Sequence, residues 1–209
     1  LSIDVLSQVR LADPERTLRV NVEATMGLLH ACKAAGVEHV LFASSGAVYA
    51  DSPRELSELS LIEPVDIYGW SKWFAEEICR WFSAREGMRI TICRLFNNFG
   101  PRETNAHIIP EIIHQIRDSD RLKLGNTSTR RDHIHVTDTA QALRRLSGST
   151  HRGHRTVNVA GGQHASVDEL IRMIADILKR KLEVVHVPDR FRSADKQVRR
   201  GREDRRGAR

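Results

Sequence analysis

Two hydrophobic patterns alternate along the chain. Short apolar runs bounded by polar residues are typical of buried parallel strands, whereas apolar positions spaced three and four apart are typical of helices. Their alternation predicts an α/β fold. The predicted strands are 39–44, 89–96, 121–125, 130–136, 156–160 and 182–187. The predicted helices are 12–36, 66–85, 106–119, 137–146 and 166–180.

Residues at the helix ends support these boundaries. Asp13 can cap the first helix, Pro14 suits its first turn, and Gly36 can end it. Ser166 and Glu169 have the spacing of a capping box at the start of the last helix.

The composition is that of an ordinary globular protein. The 209 residues are 40% hydrophobic and 29% charged, which is enough for a sizeable core. No apolar run approaches the ~20 residues that a membrane span needs, and the first 15 residues lack the pattern of a signal peptide. Three widely spaced cysteines without a zinc motif favour reduced thiols in a cytoplasmic protein.

The positive charge is concentrated at the carboxyl end. Residues 190–209 hold nine Lys/Arg and three Asp/Glu, so the other 189 residues hold 24 of each sign. This distribution argues against a basic nucleic-acid-binding face on the folded body. Residues 196–209 lack apolar periodicity and are expected to be a disordered, Arg-rich tail. An RNA-binding role for that tail is the alternative to a solvated or non-native end.

Ten histidines raise the question of a metal site. The closest pairs are His133 with His135, in a strand-like run, and His151 with His154, in a polar loop. Neither pair has an obvious third ligand, so we expect no metal.

The sequence "YGWSK" places Tyr68 and Lys72 four residues apart on a predicted helix. Residues with this spacing share a helix face, and a nearby ammonium favours the phenolate. Tyr68 could therefore act as an acid or base near neutral pH. Ser45 ends a predicted strand, where parallel sheets place ligands, and could bond the same substrate hydroxyl. A surface Tyr/Lys pair is the alternative, because the spacing alone is common.

Taken together, the motifs resemble the extended short-chain dehydrogenase/reductase superfamily, in its NAD-dependent nucleotide-sugar epimerase/dehydratase branch. They stand in the family's order over roughly residues 10–195. The motifs are "RVNVEAT", "FASSGAVY", "YGWSK", "RLFNNFGPR", "RRDHIHVTD" and "NVAGGQHASVDEL".

The resemblance implies an NAD cofactor and a role for each matched residue. Tyr68 would be the catalytic acid/base, Lys72 would lower its pKa, and Ser45 would orient the sugar hydroxyl. The residues near the cofactor would be Asn21, Ser44, Tyr68, Lys72 and Phe96.

The resemblance also implies a nucleotide-sugar substrate. Asn97 and Arg131 would hold its diphosphate, since a guanidinium can grip phosphate oxygens bidentately. A surface salt bridge with Asp132 is the alternative for Arg131. The other substrate-binding residues would be Ser45, His107, Arg192 and Asp195.

The implied fold is a Rossmann-type parallel sheet with helices on both faces, plus a smaller substrate-binding lobe. Residues 1–97 would belong to the NAD-binding domain, with further elements near 131–147 and 156–160. The lobe would comprise 98–130 and 161–195. The family's paired helices suggest a homodimer through the helices at about 14–35 and 66–85, although their apolar residues could equally face the sheet.

One departure from the family concerns the cofactor. Residues 1–30 contain no GxxGxxG turn, which in the family holds the NAD pyrophosphate at a helix amino-terminus. About 65–75 residues of the usual first half are absent, judged from the ~30-residue size of a βαβ unit. We expect this chain alone to bind NAD poorly, and a non-catalytic fragment or binding module is an alternative reading.

A second departure concerns the reaction. The family's 4,6-dehydratases carry an Asp-Glu pair where this chain has Gly46 and Ala47. Removing water needs an acid and a base, and neither residue can serve. This favours 4-epimerisation through a transient keto-sugar, with a dehydratase, decarboxylase or reductase of nucleotide sugars as the alternative.

Overall fold

The computed structural model describes residues 13–50, 52, 55–103 and 107–187, together with the backbone of 199–200. In that part of the chain, no helix has the length and apolar character needed to cross a membrane. The expected tail at 196–209 lies outside the described residues except for a two-residue strand.

Most of the described chain forms helices and strands. The helices are α1 (Pro14–Leu18), α2 (Ala24–Ala34), α3 (Ile67–Glu86), α4 (Ile108–Gln115), α5 (Val136–Ser147) and α6 (Val167–Leu178). The strands are β1 (His39–Ser45), β2 (Glu55–Leu56), β3 (Arg89–Leu95), β4 (Asn97–Phe99), β5 (Arg121–Leu124), β6 (Arg130–His135), β7 (His154–Val159), β8 (His164–Ser166), β9 (Glu183–His186) and β10 (Arg199–Arg200).

The predicted helix ends are confirmed at both tested caps. The Asp13 carboxylate accepts a hydrogen bond from the amide of Arg16, and Pro14 is the first residue of α1. Ser166 and Glu169 form a complete capping box. The predicted helix 12–36, however, is interrupted by a π-helical segment, Arg19–Glu23.

The central sheet has the order β1-β3-β7, and all its strands are parallel. Side chains alternate between its faces: Val40 and Ile90 pack with α2 and α3, whereas Leu41 packs with α5. Helices therefore cover both faces, as the Rossmann-type prediction requires. Among the described strands, β1 pairs only with β3.

A second group of elements follows the central sheet. β4 and β6 pair in parallel, β8 runs antiparallel to β6, and β5 pairs with β9. Helices α4 and α6 pack against the β5–β9 pair around a separate apolar cluster. Its buried members are Ile112, Ile116, Leu122, Leu124, Val167 and Ile171. This cluster lies within the segments that we assign to the substrate-binding lobe.

The three cysteines differ in their burial. Cys79 on α3 and Cys93 on β3 are fully buried, and Cys32 on α2 is half-buried. Burial raises the pKa of both buried thiols to about 12. All three are free thiols.

Candidate active site

A cleft of about 790 Å³ opens at the carboxyl ends of the central strands. Nine of the eleven predicted site residues line it: Asn21, Ser44, Ser45, Tyr68, Lys72, Phe96, Asn97, His107 and Arg131. The other two, Arg192 and Asp195, lie outside the described residues. Residues from the π-helical segment Arg19–Glu23 through to α5 are therefore brought to one place.

Helix α3 carries Tyr68 and Lys72 into the cleft. It begins after Asp66, whose carboxylate accepts from the amide of Gly69 at 2.7 Å. The Lys72 ammonium lies 5.9 Å from the centre of the Tyr68 ring and donates to the carbonyl of Ala43 at 3.0 Å. Only 9% of Lys72 is exposed. The ammonium is thus held beside the phenol rather than in bulk water, which disfavours the surface-pair alternative.

The π-helical segment positions Asn21 against the first turn of α3. The Asn21 amide donates to the Ser71 hydroxyl at 2.9 Å, and that hydroxyl donates to the Tyr68 carbonyl at 2.7 Å. Asn21 and Ser71 are both buried. Asn21 therefore ties α3 to the neighbouring helix at the turn that holds Tyr68.

Ser44 and Ser45 point in different directions, as successive strand residues do. The Ser45 hydroxyl accepts from the amide of Ala47 at 3.1 Å, at the start of the 3₁₀ turn Gly46–Val48. The Ser44 hydroxyl donates to Glu76 at 2.5 Å. The side chain of Ser44 thus belongs to a buried network under the cleft, and Ser45 stays at its rim.

That network centres on an ion pair that sequence reasoning missed. Arg94 donates to both carboxylate oxygens of Glu76, at 2.9 and 2.7 Å, and Arg80 donates to the same carboxylate at 2.8 Å. Burial alone would raise the pKa of Glu76, but the bonds and charge of Arg94, Ser44 and Arg80 lower it. A sequence signal existed, since Glu76 lies four residues after Lys72 on the same helix face.

The network continues into the segment after Ser45. Arg94 donates to the Tyr49 hydroxyl at 2.9 Å and to the Glu58 carbonyl at 3.2 Å. The Tyr49 hydroxyl in turn donates to the side chain of Asn158 at 2.6 Å. These bonds tie the connection between β1 and α3 to β3 and β7. They fix the segment that follows Ser45 and leads to α3.

Phe96 and Asn97 follow β3 and enter the cleft together. Phe96 is buried, with its ring 6.4 Å from that of Tyr49. The Asn97 amide donates to the backbone carbonyl of Asp132 at 3.0 Å. Asn97 is therefore oriented by β6, the strand that carries Arg131.

Asp132 is fully buried and accepts from the amides of Gly161 and Gly162 at 2.6 and 2.8 Å. A Cβ atom on Gly161 would lie 2.4 Å from the carbonyl of His133, so only glycine fits there. The loop thus holds the Asp132 carboxylate inward. Arg131 lines the cleft.

His107 lies at the outer wall of the cleft and pairs with Glu103 through its Nδ1 atom. Both residues line the cleft, and Glu103 was not predicted. The pair precedes α4, whose N-cap is His107 itself. The second group of elements thereby contributes a histidine and a carboxylate to the lining of the cleft.

Residues 6–160 match the model of the NAD dependent epimerase/dehydratase family. The chain belongs to this family. A related member is the GDP-6-deoxy-D-mannose reductase of Pseudomonas aeruginosa, 35% identical over an alignment of 199 residues that covers 90% of this chain and 65% of that protein. The chain thus spans just under two thirds of that relative's length.

Two solved structures of similar proteins agree with this assignment. One is RMD from Pseudomonas aeruginosa complexed with NADPH, with a TM-score of 0.85, 31% identity and coverage of 97% of this chain and 70% of that one. The other is the UDP-N-acetylglucosamine 4-epimerase of Methanobrevibacter ruminantium in complex with UDP-N-acetylmuramic acid. Its TM-score is 0.86, with 27% identity and coverage of 98% and 66%. These epimerase/dehydratase family structures confirm the Rossmann-type fold.

Proposed function

We propose that the cleft binds a nucleotide sugar and supports NAD-dependent chemistry at one sugar hydroxyl, most simply epimerisation at C4. The observation that carries the proposal is the placement of Tyr68, Lys72 and Ser45 in one cleft with Asn97 and Arg131. Acid–base groups and phosphate-binding groups thus face the same space. The family and its nucleotide-sugar relatives support the substrate class.

In this proposal Tyr68 takes the proton of the reacting hydroxyl and later returns it. Lys72, held by the carbonyl of Ala43, stabilises the phenolate form. Ser45 orients the hydroxyl, and Arg131 and Asn97 hold the diphosphate. Arg192 and Asp195 stay predictions for the nucleotide contact.

The open cleft beside Tyr68, Lys72 and Phe96 has room for a nicotinamide. Asn21 holds the first turn of α3 on that side of the cleft through its bond to Ser71. When bound there, NAD would accept a hydride from the sugar carbon and return it. The protein's own part is to hold the sugar, exclude water and move the hydroxyl proton.

A reductase is the second candidate, because the relative with 35% identity is a GDP-6-deoxy-D-mannose reductase. An epimerase leaves the oxidation state of the cofactor unchanged, whereas a reductase consumes one NAD(P)H per turnover. Absorbance at 340 nm, followed together with NMR of the products, separates the two. The assay uses several UDP- and GDP-sugars and a version extended upstream to the length of its relatives.

Substrate binding is tested on the 209-residue chain by calorimetry with UDP-glucose and a GDP-sugar. We expect saturable binding that weakens about tenfold in Arg131→Gln, since a charge-assisted bond is lost. Arg172→Gln, on the distant helix α6, is the matched control. Binding that is unchanged by Arg131→Gln would contradict the proposed diphosphate site.

We also propose that the chain forms a homodimer through α2 and α3. Helix α3 exposes Trp70, Phe74 and Trp81, and the rings of Trp70 and Phe74 pack 5.7 Å apart. Exposed aromatic residues grouped on one helix are typical of an interface, and α2 packs beside α3. Sedimentation should show a dimer that Phe74→Arg dissociates and that Ile177→Arg, on exposed α6, leaves intact. A monomer at all concentrations would overturn this proposal.

A further inference from the structure

Basic side chains gather at the amino-terminal end of the central sheet, away from the cleft. His39 and Arg89 are the first residues of β1 and β3 and pair in register. Arg155, the second residue of β7, pairs with Thr91 two residues further along β3. Residues at these positions share one face of the sheet. The loop before β7 adds His151 to the same place.

The two imidazoles are fixed by the surrounding backbone and side chains. The His39 ring contacts the Thr91 hydroxyl at 3.0 Å and the Ser147 carbonyl at 3.1 Å. The His151 ring contacts the Ile90 carbonyl at 3.3 Å. The two rings pack edge to face, with their centres 5.4 Å apart. The two imidazole rings therefore pack together next to Arg89 and Arg155.

The two arginines lack anionic partners within the described part of the chain. The Nε atoms of Arg89 and Arg155 are both buried and have no hydrogen-bond partner there. No ion pair reaches either guanidinium among the described residues, including one from neighbouring Glu38. Both guanidinium charges therefore lack a counter-charge in the described part of the chain.

The stretch of sequence that leads into β7 contains no carboxylate. Between Asp138 and Asp168 there are four arginines and three histidines and no acidic residue. Residues 1–189 are neutral overall, but their positive and negative charges are therefore unevenly distributed along the chain. Burial lowers the pKa of His39 and His151, and the charges of Arg89 and Arg155 lower it further. The positive charges of Arg89 and Arg155 thus act on both imidazole rings.

We propose that Arg89 and Arg155, flanked by His39 and His151, form a binding site for an oxyanion of the phosphate class. A guanidinium presents a planar fork of donors that matches the oxygens of such an anion. Because the Nε atoms are enclosed, the donors to the anion would be the terminal nitrogen atoms of the two guanidinium groups. None of these four residues lines the cleft, so this site is separate from the proposed substrate site.

Inorganic phosphate is the probe, titrated into the 209-residue chain at constant ionic strength. The ring signals of His39 and His151 are followed by NMR, and heat by calorimetry. Bound phosphate should shift both signals with one saturation curve and raise the pKa of both rings, because a nearby anion favours imidazolium. Absence of saturable shifts in the unmodified chain would overturn the proposal without any variant.

Variants then locate the site. Arg89→Gln and Arg155→Gln together should weaken phosphate binding at least about tenfold, since two charge-assisted contacts are lost. Arg152→Gln, exposed in the same loop, and Arg131→Gln, in the cleft, should leave the His39 and His151 shifts unchanged. Shifts that persist in the double variant, or that vanish in Arg131→Gln, would contradict the assignment. Circular dichroism confirms that each variant is folded.

Discussion

Adjacent glutamates on α3 have contrasting environments, although both bond Arg80. Glu76 is fully buried and is bound by Arg94, which is 2% exposed. Glu77 is 50% exposed and pairs only with Arg80 among the described residues. A buried charge left without its partner is costly, whereas an exposed pair contributes little.

Glu76→Gln should therefore lower the free energy of unfolding by about 3–5 kcal/mol, because Arg94 stays buried without a counter-charge. Glu77→Gln, the matched control, should change it by no more than about 0.5 kcal/mol. Denaturant unfolding of both variants gives the comparison. Equal effects would show that Glu76 is not the anchor of the network.

The two tyrosines of the chain should ionise at different pH values. Burial raises the pKa of Tyr49 above its usual value, and Tyr68 lies beside the Lys72 ammonium, which favours phenolate. As the pH is raised, the ultraviolet absorbance of phenolate should show a first transition from Tyr68 and a second, at higher pH, from Tyr49. The first transition should be lost in Tyr68→Phe. A first transition that survives in Tyr68→Phe would count against Tyr68 as the acid/base.

His133 gives the fold a predicted pH dependence. Burial, helped by the charges of Arg131 and His107, lowers its pKa to about 4. Between pH 6.5 and 4 the unfolded chain therefore binds a proton that the folded chain does not. The free energy of unfolding should fall as the pH falls through that window, by up to about 3 kcal/mol.

His133→Gln should remove this part of the pH dependence, and His114→Gln, on the exposed side of α4, should keep it. His39 and His151 contribute in the same direction, because the pKa of each is also lowered. Urea unfolding at several pH values measures the slope. A slope that is the same in His133→Gln and in the unmodified chain would refute the assignment.

At the scale of elements, two helical glycines have opposite surroundings. A Cβ atom on Gly69 of α3 would lie 2.4 Å from the carbonyl of Ala47 and 2.8 Å from Cβ of Pro64. A Cβ atom on Gly27 of α2 would meet nothing within 4 Å. Gly69 therefore lets the first turn of α3 approach the segment after Ser45.

Gly69→Ala should lower the free energy of unfolding by about 1–3 kcal/mol, because the methyl group meets backbone. Gly27→Ala should raise it by about 0.5–1 kcal/mol through helix propensity alone. Thermal and denaturant unfolding of the two variants provides the measurement. A stabilised Gly69→Ala variant would mean that α3 can move away from Ala47 without loss.

The long elements could be predicted from the sequence, and the short ones could not. Helix α3 has an acidic cap at Asp66 and a left-handed Gly87 at its end, and β3 is rich in β-branched and apolar residues at 90–93. Strands β4 and β8 have only three residues each, too few for a periodic signal, and form only because they pair with β6. The π-helical segment likewise contains a contact distant in sequence, the bond from Asn21 to Ser71 of α3.

For the molecule as a whole, the cleft was predictable and the basic cluster was not. Motifs at the ends of strands identify residues that a parallel sheet must bring together. His39 and Arg89, in contrast, are polar residues at strand starts and belong to no motif. Their meeting with His151 and Arg155 depends on the order of strands in the sheet, which the sequence does not display locally.

The chain as it stands should bind NAD more weakly than micromolar, because its sequence contains no GxxGxxG turn for the pyrophosphate. Calorimetry with NAD and, in parallel, with a nucleotide sugar checks this expectation. The sugar should bind while NAD does not. Micromolar NAD binding by residues 1–209 would contradict it and would require another pyrophosphate contact.

Because the three cysteines differ in burial, the rate of thiol labelling reports how often the core opens. In the folded chain a thiol reagent can reach Cys32 but neither Cys79 nor Cys93, whose high pKa also keeps the reactive thiolate scarce. Cys79 can therefore be labelled only when α3 lifts from the sheet, and Cys93 only when α5 lifts from the opposite face. Counting labels against time by mass spectrometry would measure how often that happens, without any mutation.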